Sequence, residues 1–216
     1  MRRLFLLLFA ACAALGHAAA LAQNSPLFEA VAAGSLQDVE RLIAAGAAVD
    51  ARNEDAETPL YLAVESGHAE IAGFLLRKGA DARMSTANGE TALHAAALNG
   101  DAALLMLLLD HGAAVNRANR DGERPLFWAA AAGQGRTAKL LIDRGADLNA
   151  VDLRGNSALH GAADGGHETV ALLLLNQRAN RGFRNVANET PLEIAQRHGF
   201  GGIVALLRSR QEPVAK

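Results

Sequence analysis

Aromatic residues are scarce in this chain: one Trp, one Tyr and seven Phe, 4% of 216 residues. A core with so few rings has to be assembled from Leu, Ala, Val and Ile. That suits thin, closely spaced helices better than a globule built on large packed rings. Cysteine is nearly absent. Cys12 is the only one and lies within the first 22 residues, so the rest of the chain has no disulfide and no thiol nucleophile. A strong charge of either sign is missing too. The 21 Lys and Arg against 23 Asp and Glu leave a formal −2, which gives no general reason to expect nucleic acid as a partner. No G-x-S-x-G, H-E-x-x-H or phosphate-binding lysine loop occurs in the sequence.

The long apolar run that does exist is confined to the N-terminus. Arg2 and Arg3 precede a run over residues 4–15, and Ala20-Leu21-Ala22 supplies a small-x-small pattern. Together they predict a secretory signal peptide over residues 1–22, cut between Ala22 and Gln23. Its loss removes Arg2 and Arg3 and takes the formal charge from −2 to −4. The competing readings are a retained signal anchor and a lipid anchor. The strongly apolar part is too short to span a bilayer, and even the wider stretch over residues 4–22 contains His17 and ends in small residues. Phe9-Ala10-Ala11-Cys12 is a poor match to the lipid-attachment box of bacterial lipoproteins.

Beyond that segment the chain repeats at a fixed period. Leu27, Leu60, Leu93, Leu126, Leu159 and Leu192 are each 33 residues apart. Gly34, Gly67, Gly100, Gly133, Gly166 and Gly199 follow in phase, with no insertion. A second series, Gly46, Gly79, Gly112 and Gly145, continues to Arg178. Such periodicity predicts a stack of supersecondary units, each burying the apolar face of the next. Each unit reads as a short helix, a glycine break and a longer helix. In the unit over residues 88–116, Thr91 opens the first helix and a second runs over about 102–109. Asn88-Gly89, Asp121-Gly122 and Arg154-Gly155 mark the turns.

The helix openings carry a further pattern. Thr58-Pro59-Leu60-Tyr61, Thr91-Ala92-Leu93-His94, Arg124-Pro125-Leu126-Phe127, Ser157-Ala158-Leu159-His160 and Thr190-Pro191-Leu192-Glu193 recur in register, with Gly-His and Gly-Ala-Asp-x-Asn elements between them. This pattern resembles the ankyrin repeat over essentially the whole chain after the signal segment. The resemblance implies an all-α solenoid of about six 33-residue helix-turn-helix repeats: antiparallel pairs joined by protruding hairpin loops. The repeat domain is placed at residues 23–210, with repeats near 24–53, 54–86, 87–119, 120–152, 153–185 and 186–210. Residues 211–216 are expected to be a disordered tail. Arg178 departs from the stop glycine and Gly182 from the usual Asn or Asp.

No catalytic constellation emerges from the remaining residues. His94 and His160 fill the helix-opening slot, and His68 and His167 fill the Gly-His slot. The resemblance implies structural hydrogen bonds for both slots. His111 and His198 lie in different repeats, so neither a metal site nor a cofactor is expected. Gly133-Gln134-Gly135-Arg136-Thr137-Ala138 has the spacing of a dinucleotide fingerprint, but it joins two helices where that motif needs a preceding strand. Trp128 stands between Ala95 one repeat back and Gly161 one repeat on. It is either an interface anchor or a ring filling the space these small residues leave, and the neighbours favour packing.

The resemblance also implies where a partner engages: the hairpin tips and the concave face of the inner helices. By register the candidate tip residues are Glu57, Asn88, Glu90, Arg120, Asp121, Glu123, Arg154, Asn156 and Glu189. Those on the inner face are Glu65, Leu98, Asn99, Ala131, Ala132 and Asp164. Glu57, Glu90, Glu123 and Glu189 read as an acidic row broken by Asn156, with Leu98, Ala131 and Ala132 as an apolar centre. The expectation is a non-catalytic scaffold, exported to the periplasm, binding another protein. Alternatives are an exported effector, a modulator or inhibitor of a periplasmic enzyme, or a small enzyme. The chain is expected to be monomeric, without nucleic acid and without stable membrane insertion after signal cleavage.

Overall fold

The computed structural model describes residues 25–209, and the signal segment, Cys12, Arg210 and the 211–216 tail lie outside that range. Among the described residues there are twelve helices in six antiparallel pairs. The inner helices are α1 (Pro26–Ala32), α3 (Pro59–Glu65), α5 (Ala92–Asn99), α7 (Pro125–Ala131), α9 (Ala158–Gly165) and α11 (Pro191–His198). The outer ones are α2 (Leu36–Ala44), α4 (Ala69–Arg77), α6 (Ala102–Asp110), α8 (Gly135–Asp143), α10 (Glu168–Asn176) and α12 (Gly201–Ser209). Each inner helix packs on the next, and so does each outer helix, so the core runs as one strip along the stack.

Each pair forms for local reasons. Thr58 and Thr190 cap α3 and α11 by accepting the backbone N–H three residues on. Ser25 holds the N-cap position of α1, yet its side chain makes no cap bond. Arg124 likewise opens α7 without capping it. The leucine series is what the inner helices bury: Leu27, Leu60, Leu93, Leu126 and Leu159 are all inside. Leu192, in the sixth described pair, is only half-buried.

Both glycine series sit at positive φ, where a side chain is strained. Arg178 occupies its glycine slot with the same geometry, φ +67°. The turn series behaves alike. Gly89, Gly122 and Gly155 are left-handed, and the same slot holds Ala56 at +57° and Asn188 at +58°. The hairpin tips are also tied to one another. Ala87, Arg120, Leu153 and Val186 each donate a backbone N–H to the carbonyl of Asp55, Asn88, Asp121 and Arg154 on the preceding tip, all at 2.8 Å. The tips therefore form one continuous edge and not five independent loops.

Candidate protein-docking surface

A repeated turn device shapes each tip. Asn53 Oδ1 accepts the backbone N–H groups of Asp55 and Glu57, and Asn119 those of Asp121 and Glu123. Asp152 does the same for Arg154 and Asn156, and Asn185 for Ala187 and Glu189. Asx side chains closing their own loop in this way hold it in one shape. The sequence reading missed these four residues. They occupy one slot of the 33-residue period, which Thr86 fills between Asn53 and Asn119, and that register was the signal that could have found them.

The acidic row exists in register, but each carboxylate already has an internal donor. Glu57 Oε2 accepts from Asn53 Nδ2 at 2.7 Å. Glu90 Oε2 accepts the Tyr61 hydroxyl at 3.2 Å, and Glu123 Oε2 accepts the Trp128 indole N–H at 2.9 Å. Glu189 pairs with Arg197 at 2.8 Å. Asn156 accepts from Asn185 Nδ2 and donates to Asp152. Burial pushes the Glu90 carboxyl above its ordinary range, opposed by the Tyr61 hydrogen bond and reinforced by the Glu123 and Glu57 charges. Glu123 is raised likewise, by burial first, against the hydrogen bonds from Trp128 and Asn119. These are half-buried groups turned into the fold, not a free electrostatic rim.

Trp128 is half-buried and joins two levels of the structure. Its ring meets His94 edge-on, centroids 5.5 Å apart at 74°, while its N–H holds Glu123. His94 is fully buried: Nδ1 lies 3.1 Å from the Thr91 N–H and Nε2 lies 3.3 Å from the Glu123 carbonyl. Burial drives its pKa down to about 4, so the ring is neutral at pH 7. His160 repeats the arrangement with Ser157 and the Glu189 carbonyl, and its pKa is lowered for the same reason.

On the inner face, side-chain amides and a histidine stitch adjacent repeats. Asn99 Nδ2 donates to the Val64 and Glu65 carbonyls, which end the preceding inner helix. Gln134, the middle of the false dinucleotide pattern, donates to the Leu98 carbonyl at 3.0 Å. His167 Nε2 hydrogen-bonds the Ala131 carbonyl at 3.0 Å, and His198 bonds Asp164 at 3.0 Å while stacking on Phe200. His111 bonds the Leu107 carbonyl of its own helix. Leu98, Ala131 and Ala132 are each partly covered. Glu65, Asn88, Asn99, Arg120, Asp121, Arg154 and Asp164 are exposed. A crevice lined by Glu123, Arg124, Phe127, Asp147 and Asp152 encloses about 10 Å³, room for about one water molecule.

The described helices and their edge agree with what a family comparison finds. A model for ankyrin repeats in three copies matches residues 4–86, 75–152 and 137–216. The chain belongs to the ankyrin repeat family. Within those overlapping matches the structure counts six helix pairs. Ankyrin repeats mediate protein–protein interaction and are typically non-catalytic. No curated protein matches the chain. Among the described residues no helix is long and apolar enough to cross a membrane.

Proposed function

We propose that this ankyrin repeat chain is a non-catalytic scaffold of the periplasm that binds one partner protein along its tips and inner face. The observation that supports it is the tip-to-tip hydrogen-bond edge, which presents Asn88, Arg120, Asp121 and Arg154 in a fixed order. A preordered surface of this kind binds without the entropy cost of arranging loops. Export rests on the N-terminal segment over residues 1–22 and the absence of cysteine after it. The partner class includes a periplasmic enzyme that the chain assists, tethers or inhibits.

Reversing Glu90 and Glu123 to Lys is a poor test of binding, because both carboxylates hold internal donors and the variant would disturb the fold. A photoreactive side chain at Asn88 or Asp121 is the better probe, with one at Glu40 on an outer helix as control. The expected outcome is a discrete heterologous adduct from the tips alone. Adducts formed equally from Glu40 would sink the assignment of the surface. The mass of the protein recovered from a periplasmic fraction tests export, with Gln23 as the expected first residue.

A further inference from the structure

One column of the tip edge reads Glu54, Ala87, Arg120, Leu153 and Val186, five positions 33 residues apart. Its character changes along the stack. The N-terminal end is acidic, with Glu54 and Asp55 both exposed. The C-terminal end is apolar. Leu153 is 75% exposed and Val186 is 76% exposed, well above any other large hydrophobic residue described. A lone exposed leucine on a protein surface requires no explanation. Two on consecutive tips of one column, linked through the Val186 N–H and the Arg154 carbonyl, make a surface that water covers poorly.

The charges beside this pair point to what covers it. Arg124, Arg184 and Arg197 are each paired, with Asp147, Glu193 and Glu189. Arg120 and Arg154 are exposed, and among the described residues neither guanidinium has a hydrogen bond or ion pair. Arg120 precedes Leu153 in the column, and Arg154 follows it in the chain. Asp121 is the one exposed carboxylate on these tips, and it pairs with neither arginine.

We propose that the tips of the last three repeats anchor an acidic segment of a partner protein that carries two aliphatic side chains. Leu153 and Val186 cover the aliphatic groups, and Arg120 and Arg154 pair with the flanking carboxylates, each guanidinium offering a fork that fits a carboxylate. The segment does not extend to the first tip, where it would meet Glu54 and Asp55. This inference rests on the tips being a recognition edge and adds the chemistry of the partner and its footprint.

The test is selection of a displayed library of random short peptides on the purified chain. Enriched peptides should combine Glu or Asp with Leu, Ile or Val. Their affinity should fall about tenfold for Leu153→Ser and about tenfold for Val186→Ser, the loss of one buried aliphatic contact each. Arg154→Glu should turn the selected charge from acidic to basic, an outcome that loss of folding cannot imitate. Enrichment of basic peptides by the unaltered chain overturns the inference and leaves the scaffold reading standing. So does binding that ignores Leu153→Ser and Val186→Ser but fails when Asp164 or Glu65 is changed. Binding to phosphatidylglycerol vesicles in place of peptides overturns it in favour of a membrane surface. No enrichment overturns the inference, and with no tip-specific photo-adduct either the scaffold reading falls with it.

Discussion

The buried helix-opening histidine makes stability depend on pH in a way that can be measured. His94 Nδ1 accepts the Thr91 backbone N–H and lies 2.9 Å from the Thr91 hydroxyl, so the proton sits on Nε2, aimed at the Glu123 carbonyl. Protonating Nδ1 would set a donor against the Thr91 N–H donor inside the fold. Burial lowers the ring's pKa from 6.5 to about 4, against the opposing pull of the Glu123 carbonyl. The unfolded chain takes up this proton as pH drops below 6.5, and the folded chain refuses it until about 4. Its contribution is therefore fully present above 6.5 and is lost as pH falls toward 4. At 1.36 kcal/mol per pH unit the loss is about 3 kcal/mol. His160 acts in the same direction, whereas Glu90 and Glu123, with raised pKa values, act against it. A difference between two chains removes those shared contributions. Urea unfolding followed by circular dichroism, for the unaltered chain and His94→Gln, should show a stability gap at pH 7 that shrinks by about 3 kcal/mol by pH 4. A gap that stays constant within about 0.5 kcal/mol across that range would falsify the burial argument.

Three further outcomes follow from other sites. Ala56→Gly and Arg178→Gly relieve left-handed strain at slots that hold glycine in other repeats, so each should stabilise by about 1 kcal/mol and raise the melting temperature by about 2–4 °C. Either substitution lowering it would mean the strain is absent. Glu123→Gln keeps an acceptor for Trp128 while removing a charge that burial disfavours. A raised folded pKa stabilises below the unfolded value and loses that stabilisation as pH rises, so the variant should melt higher at pH 7 and lose its advantage in acid. Leu105→Ala opens a cavity at a fully buried outer-helix position and should cost about 2–5 kcal/mol. Because repeats couple to their nearest neighbours, hydrogen exchange should quicken most in repeat three and in its neighbours, two and four.

The architecture was legible because its causes are local and repeat in phase. A left-handed residue is needed wherever a helix stops or a hairpin turns, so the glycine series located the breaks. The same series located Arg178, whose φ of +67° was implied by position alone. The helix-opening histidine slot was legible through the family resemblance, and a ring three residues after Thr91 or Ser157 does reach back to that residue's N–H. Of the Gly-His slot only His167 hydrogen-bonds, to the Ala131 carbonyl. The His68 ring has no hydrogen bond among the described residues and lies against Gly34. The acidic row was legible only as a row. Tyr61 lies 29 residues from Glu90, Asn99 lies 35 from Val64, and Gln134 lies 36 from Leu98. These three donors belong to neighbouring repeats, whereas Asn53, Trp128 and Arg197 lie within eight residues of Glu57, Glu123 and Glu189; none of these slots keeps one residue type through all the copies.

The sequence by itself determined the period, the helix ends, the turn positions and the leucine strip, because one 33-residue unit dictates all of them through its own backbone. Only the stacked structure decided which side chains are left over for a partner. Glu90 and Glu123 face inward because Tyr61 and Trp128 stand within reach of them. Leu153 and Val186 face water because their tips carry the neighbouring backbone and nothing folds over it. Exposure is a property of what the adjacent repeat covers, and that is settled only when the two repeats pack.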